Sequence, residues 1–109
     1  MKEVTAPTYT LDIFMAGHIG AAERICRAYC DEIGLCVTIM PATYVYTGGQ
    51  EPGFKIGLIN YPRFPSLPED LWSRAMTLAD RLRVELMQQS YSVVGPDRTV
   101  WRSWREADN

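Results

Sequence analysis

Catalysis and ligand binding need polar or nucleophilic side chains that converge, and this chain offers few such sets. Its one histidine lies in Gly17-His18-Ile19-Gly20, between an alternating apolar run and a helical one. A junction of that kind can hold an acid or base. Free backbone N–H groups at a helix start also attract anions. Gly17, His18 and Gly20 are therefore a candidate anion-binding set. The segment lacks the Lys and Ser/Thr of a phosphate-binding loop, so a tight turn beside a closely packed helix explains it too. There is no Gly-x-Ser-x-Gly elbow and no His-Glu-x-x-His pair, and His18 reads as a solvated loop residue. Asp12, His18 and Glu23 could meet near this turn as an acid–base set, though no spacing fixes their geometry.

The cysteines are Cys26, Cys30 and Cys36. A metal centre needs three or four converging ligands. Cys26 and Cys30 fall inside an apolar stripe, however, where free Cys packs as a small hydrophobe. No metal and no cofactor is expected. An odd count in a short chain also fits a reducing compartment better than a disulfide framework.

Aromatic groups concentrate around one turn. Tyr44 and Tyr46 precede the Gly48–Gly53 segment, and Tyr61, Arg63 and Phe64 follow the next strand. Aromatic residues with an Arg are the usual anchors of binding surfaces, and they can stack a base. These five form the predicted binding set. The alternative is that Tyr61 and Phe64 close one end of the core. Trp101 and Trp104 either seal the core or cover a partner.

The elements that must position these residues follow from periodicity. Tyr9 to Met15 alternates, with Phe14 on the second face, and reads as a strand. Ile19, Ala22, Cys26, Tyr29, Cys30 and Ile33 form a helical stripe, closed by Gly34. Leu35 to Met40 and Thr43 to Thr47 read as one long strand, bent or bulged at Pro41 and placed on a sheet edge. Phe54 to Tyr61 returns after a turn at 48–53. Ser66-Leu67-Pro68-Glu69 fits a capping box for a helix running to about Gln89. Tyr91 to Val94 and Thr99 to Trp104 complete the set. The order predicts an α+β fold, a ferredoxin-like split βαβ unit whose antiparallel sheet carries two helices on one face. Residues 1–109 make one domain, with 1–7 and 105–109 loose. The other sheet face stays open for Phe14, Tyr44, Tyr46 and C-terminal aromatics, which favours a homodimer through a shared patch.

Composition narrows the function. The chain has 109 residues, 47% hydrophobic and 22% charged, which excludes disorder, collagen and coiled coil. A net charge of −2 argues against a nucleic-acid binder. No apolar run suits a membrane span or a secretory signal, so a cytoplasmic location is expected.

The segments YTGGQEPG and INYPRFP, together with LDIFMAG and GLCVTI, resemble small accessory proteins of tailed bacteriophages, covering about two-thirds of the chain. The resemblance brings no chemistry to carry over. It implies a phage or prophage gene product acting in a bacterial host cytoplasm. The expectation is thus a non-enzymatic binding protein, a phage accessory or counter-defence factor that captures a host protein. The alternative is a homodimer binding a small molecule or nucleotide, and an enzyme ranks third.

Overall fold

The structure, a computed structural model, describes residues 1–109. In β1 (Thr10–Ala16), Leu11, Ile13 and Met15 turn to one side and are buried, while Asp12 and Phe14 turn to the other. Gly17 then ends the strand at φ 135°, a backbone conformation that favours glycine. α1 (Ile19–Ile33) opens on His18, whose ring Nδ1 accepts the Ala21 N–H at 3.1 Å. His18 is therefore the N-cap of α1 rather than an uncommitted loop residue. The helix buries Ala22, Cys26 and Tyr29, and stops at Gly34 (φ 72°). There the Gly34 and Leu35 N–H groups both donate to the Cys30 carbonyl.

β2 (Thr38–Tyr46) and β3 (Gly49–Ile59) form a long hairpin. α2 (Pro68–Glu85) crosses back, β4 (Ser90–Val94) and β5 (Thr99–Ser103) follow, and a 3₁₀ turn spans Glu106–Asp108. The strand order is β2-β3-β1-β4-β5, with every neighbouring pair antiparallel. This is the split βαβ arrangement read from the sequence, with β5 added at one edge. Register stacks Leu11 beside Leu58, Ile13 beside Ile56 and Met15 beside Phe54. Leu71, Ala75, Leu78 and Leu82 of α2 cover this face, and no polar residue is buried with them. Each large side chain here contributes about 1.5–3 kcal/mol on burial. No helix is long and apolar enough to cross a membrane.

Four boundaries differ from the sequence reading. The β2–β3 turn is only Thr47-Gly48, with Gly48 at φ 93°, so Glu51, Pro52 and Gly53 are strand residues and not loop. β2 starts at Thr38 and passes Pro41 without a bulge. The Phe54 carbonyl faces β1, so in the alternating ladder its β2 partner Pro41 turns its own polar groups outward, where a missing N–H costs no ladder bond. Leu67, not Ser66, is the N-cap of α2, and no side chain caps it. Ser66 is held instead by Asn60, whose Oδ1 accepts its N–H at 2.8 Å, and by Arg74 Nη1 at 2.8 Å. α2 ends at Glu85 because the chain reverses through Met87 (φ 57°). Met87 N–H donates to Val84 and Gln88 N–H to Arg83, a Schellman turn with Met where Gly is usual.

Two consequences are measurable. Met87→Gly relieves a left-handed conformation at an exposed site, and is expected to raise stability by about 0.5–1 kcal/mol in urea unfolding. Tyr91 of β4 donates to the Asp80 carboxylate of α2, and Arg102 of β5 donates to the same carboxylate at 3.1 Å. Burial first, then the bond to Asp80, push the Tyr91 phenol from 10.0 up to about 12. The protonated phenol is the favoured folded form, so its contribution is full below about pH 10 and is lost as pH rises through about 12. Unfolding curves should therefore show stability falling across that window. Tyr91→Phe, less stable at neutral pH, should show a shallower fall there.

Candidate functional site

Three segments of the chain meet at one end of the sheet. The first is Gly17-His18, where β1 passes into α1 and the Gly17 N–H extends the ladder to the Pro52 carbonyl at 3.1 Å. The second is the base of the projecting hairpin, Pro41–Thr43 opposite Glu51–Gly53. The third is the turn after α2. It places Gln88 against Gly17, with Gln88 Nε2 donating to the Leu86 carbonyl at 3.2 Å. Between them lies a cleft of about 770 Å³, lined by Gly17, His18, Thr43, Glu51, Gly53 and Gln88 among others. That volume lies within the usual range of small-molecule sites.

A second hollow of about 210 Å³ opens on the helix-free face and shares Glu51 and Gln88 with the first. Its make-up follows from register. Phe14 lies beside Lys55 on one side and Ser92 on the other, and Ser92 lies beside Trp101. Gly53 and Ala16 are cross-strand partners, and Tyr44 pairs with Glu51. Small side chains (Ala16, Ser90, Ser92) thus lie between the aromatic groups Phe14, Tyr44 and Trp101. Such a floor and walls suit a flat ring system.

Tyr44 is anchored and not free. Its hydroxyl accepts the Met15 N–H at 3.0 Å and donates to the Phe54 carbonyl at 2.5 Å, bridging two facing residues of the β1–β3 ladder. Burial raises its phenol above the usual range, and the bond from Met15 N–H opposes that in part. The ring can lie this close because residue 53 is glycine. A Cβ there would be 2.5 Å from the ring and would collide with the Met15 carbonyl.

The cleft holds one carboxylate, Glu51, which takes part in no ion pair. It also holds the Gln88 amide and the N-terminal end of α1. Arg105 lines the outer hollow with its Nη1 donating to Ser90 Oγ at 2.9 Å, and Lys55 Nζ lies 5.8 Å from the centre of the Phe14 ring. The arrangement can bind a cation, a carboxylate and a flat ring together. No Ser or Cys here is paired with a base.

The predicted sets divide. Gly17 and His18 line the cleft, and Gly20 leaves room for the His18 ring, which a Cβ at 20 would meet at 2.8 Å. Tyr44 lines the outer hollow, while Tyr46 stands further along the hairpin against Gly49. Tyr61, Arg63 and Phe64 lie past the far end of β3, about 30 Å from Tyr44 along ten strand residues. Tyr61 stacks on Phe64 there, with ring centres 5.5 Å apart. The five do not form one site. Asp12 and Glu23 lie away from His18, on the open face of β1 and on the exposed side of α1. Of the cysteines, Cys26 is core, Cys30 half-buried and Cys36 exposed, and no three metal-ligating side chains converge. Glu51 and Gln88, which line both hollows, are not among the residues singled out from the sequence. Glu51 hides in a segment that reads as turn, and Gln88 in one that reads as helix.

No protein-family model matches the chain, and no curated protein matches it. Two solved structures share its fold. Both are of a phage SAM lyase, one without ligand and one in complex with S-methyl-5'-thioadenosine. The complex is 16% identical to this chain with a TM-score of 0.70, covering 97% of this chain and 98% of the lyase. The ligand-free form is 18% identical with the same TM-score, covering 97% and 99%. At this identity the likeness shows the fold, helices and all five strands included. The finding also corrects the expectation of a non-enzymatic binding protein: both matched structures are of an enzyme, a phage SAM lyase.

The anchoring of Tyr44 is testable by stability alone. Gly53→Ala is expected to cost about 2 kcal/mol or more through overpacking. Tyr44→Phe, which strips the bridge from Met15 N–H and Phe54 C=O, should cost about 1 kcal/mol. Urea unfolding reads both, and a Gly53→Ala protein as stable as the parent would refute the close approach.

Proposed function

We propose that this chain is a lyase acting on S-adenosylmethionine, with its site in the cleft around Glu51 and Gln88. The observation that carries the reading is the end-to-end fold match to a phage SAM lyase, one structure of which holds S-methyl-5'-thioadenosine. That nucleoside is S-adenosylmethionine without its four-carbon amino-acid arm. The bond that breaks joins the arm to a sulfonium sulfur. Its electron pair goes to sulfur, and the leaving group is a neutral thioether that needs no proton. A lyase adds no water, so the arm satisfies its own carbon, by closing onto its carboxylate or by losing a neighbouring proton. Such a reaction asks for positioning, electrostatics and exclusion of water more than for a nucleophile.

The residues support that division of labour. Phe14, Tyr44 and Trp101 offer ring faces for the purine, and aromatic faces also favour a nearby cation. Glu51 supplies negative charge beside the sulfonium or hydrogen bonds to the ribose. Gln88 offers an amide at the junction of the two hollows, and the first N–H groups of α1 face the carboxylate of the arm. This reading keeps the phage counter-defence context, in the bacterial cytoplasm, and changes the means from capturing a host factor to destroying a small metabolite. Self-association through the open face is a companion proposal, supported by exposed Met40, Ile59 and Trp101. Native mass spectrometry giving a single subunit would overturn it.

The experiment is to incubate the protein with S-adenosylmethionine and follow S-methyl-5'-thioadenosine by chromatography. Release is expected, with Glu51→Gln and Gln88→Ala each lowering kcat/KM about 10- to 100-fold. Intact substrate after prolonged incubation, with no thermal stabilisation by S-methyl-5'-thioadenosine, would overturn the assignment.

A further inference from the structure

The three cysteines line one groove of about 380 Å³ between α1 and the start of β2, and it shares no lining residue with the cleft. They are not equivalent. Cys26 is 2% exposed and belongs to the core. Cys30 is half-buried. Cys36 is exposed, and its sulfur lies 2.9 Å from the Tyr61 hydroxyl. The reversal at Gly34 brings Cys30 and Cys36 together, since the Leu35 N–H donates to the Cys30 carbonyl at 3.2 Å. Both side chains line the same groove, on either side of that reversal.

We propose that Cys36 and Cys30 are a reversible dithiol pair that reacts with low-molecular-weight disulfides, Cys36 as the nucleophile and Cys30 as the resolving thiol. The Cys36 thiolate attacks one sulfur of glutathione disulfide. That S–S bond breaks, and one glutathione leaves as its thiolate. Cys30, its proton released to solvent, attacks the Cys36 sulfur of the mixed disulfide and expels the second glutathione. The protein loses two hydrogens and two electrons, and the small disulfide is reduced to two thiols. The Tyr61 hydroxyl, 2.9 Å from the Cys36 sulfur, can donate a hydrogen bond to it during the attack. Burial foremost pushes the Cys30 thiol up, so the first attack falls to the exposed Cys36. Arg27 in the same groove complements the carboxylates of the tripeptide. Closing the bond ties the end of α1 to the start of β2.

The test treats the full-length protein with glutathione disulfide and maps it by mass spectrometry of a non-reducing digest. The expected product lacks two hydrogens, links Cys30 to Cys36, and reverts with a thiol reductant. Cys30→Ser should instead accumulate glutathione on Cys36. Tyr61→Phe, with an unchanged circular-dichroism spectrum, should slow Cys36 modification severalfold. A parent digest with no Cys30–Cys36 link, or with Cys26 in the link, overturns the pairing. A Tyr61→Phe protein that reacts at the parent rate overturns the assignment of Cys36 as the supported nucleophile.

Discussion

One hydroxyl group ties the centre of the sheet to the wall of the hollow on its open face. Tyr44 sits on the edge strand β2, yet its ring crosses β3 at Gly53 and its oxygen ends at the β1–β3 ladder, between Met15 and Phe54. Met15 and Phe54 are themselves core residues on the opposite face. The same backbone positions therefore face the hydrophobic core with their side chains and the Tyr44 hydroxyl with their polar groups. Packing beneath the sheet and the shape of the hollow above it cannot be adjusted independently. Glu51, the cross-strand partner of Tyr44, inherits its place from this arrangement.

Much of the fold was legible because its two periods differ so plainly. Leu11, Ile13 and Met15 alternate, whereas Ala22, Cys26 and Tyr29 recur every three or four residues, and Gly34 stops α1 where a left-handed residue is needed. The site was less legible, and the reason is register. Glu51 faces the open side only because the hairpin turns in two residues, and a slip of one residue would send it to the other face. Residues 48–53 read as loop because Gly and Pro dominate them, and both of their special roles are three-dimensional. Gly53 admits a ring from another strand. Tyr61, Arg63 and Phe64 were grouped with Tyr44 because both sets flank the hairpin in sequence. An extended strand of eleven residues separates in space what the sequence places side by side. The cap of α2 failed for a different reason, since Asn60 and Arg74 compete successfully for Ser66.

The cleft is assembled from three segments that share no local motif: a helix start, a hairpin base and a helix end. The last depends on side chains remote from it. Arg83 lies 3.7 Å over the Trp104 ring and donates to the Gln88 carbonyl at 3.4 Å, while the Trp104 N–H donates to the Gln89 carbonyl at 2.7 Å. Gln88 is thus held by the C-terminal stretch of the chain as well as by α2. A site of this construction has no compact signature, and the proposed chemistry, which rests on placement rather than on a nucleophile, would leave none either.

Pro41 carries a consequence beyond its own strand. β2 forms one border of the sheet, nine residues long, and a border of that length is a template on which another chain can extend the sheet. With its ring nitrogen turned outward near the middle of the strand, Pro41 removes a donor from the row that an incoming strand would need. An incoming strand therefore cannot pair without a break along the whole border. The opposite border, β5, is only five residues long. Growth into fibrillar or open-ended assemblies by strand addition is thereby disfavoured at the longer border and poorly supported at the shorter one. The protein is left to meet other molecules through side chains, where recognition can be selective.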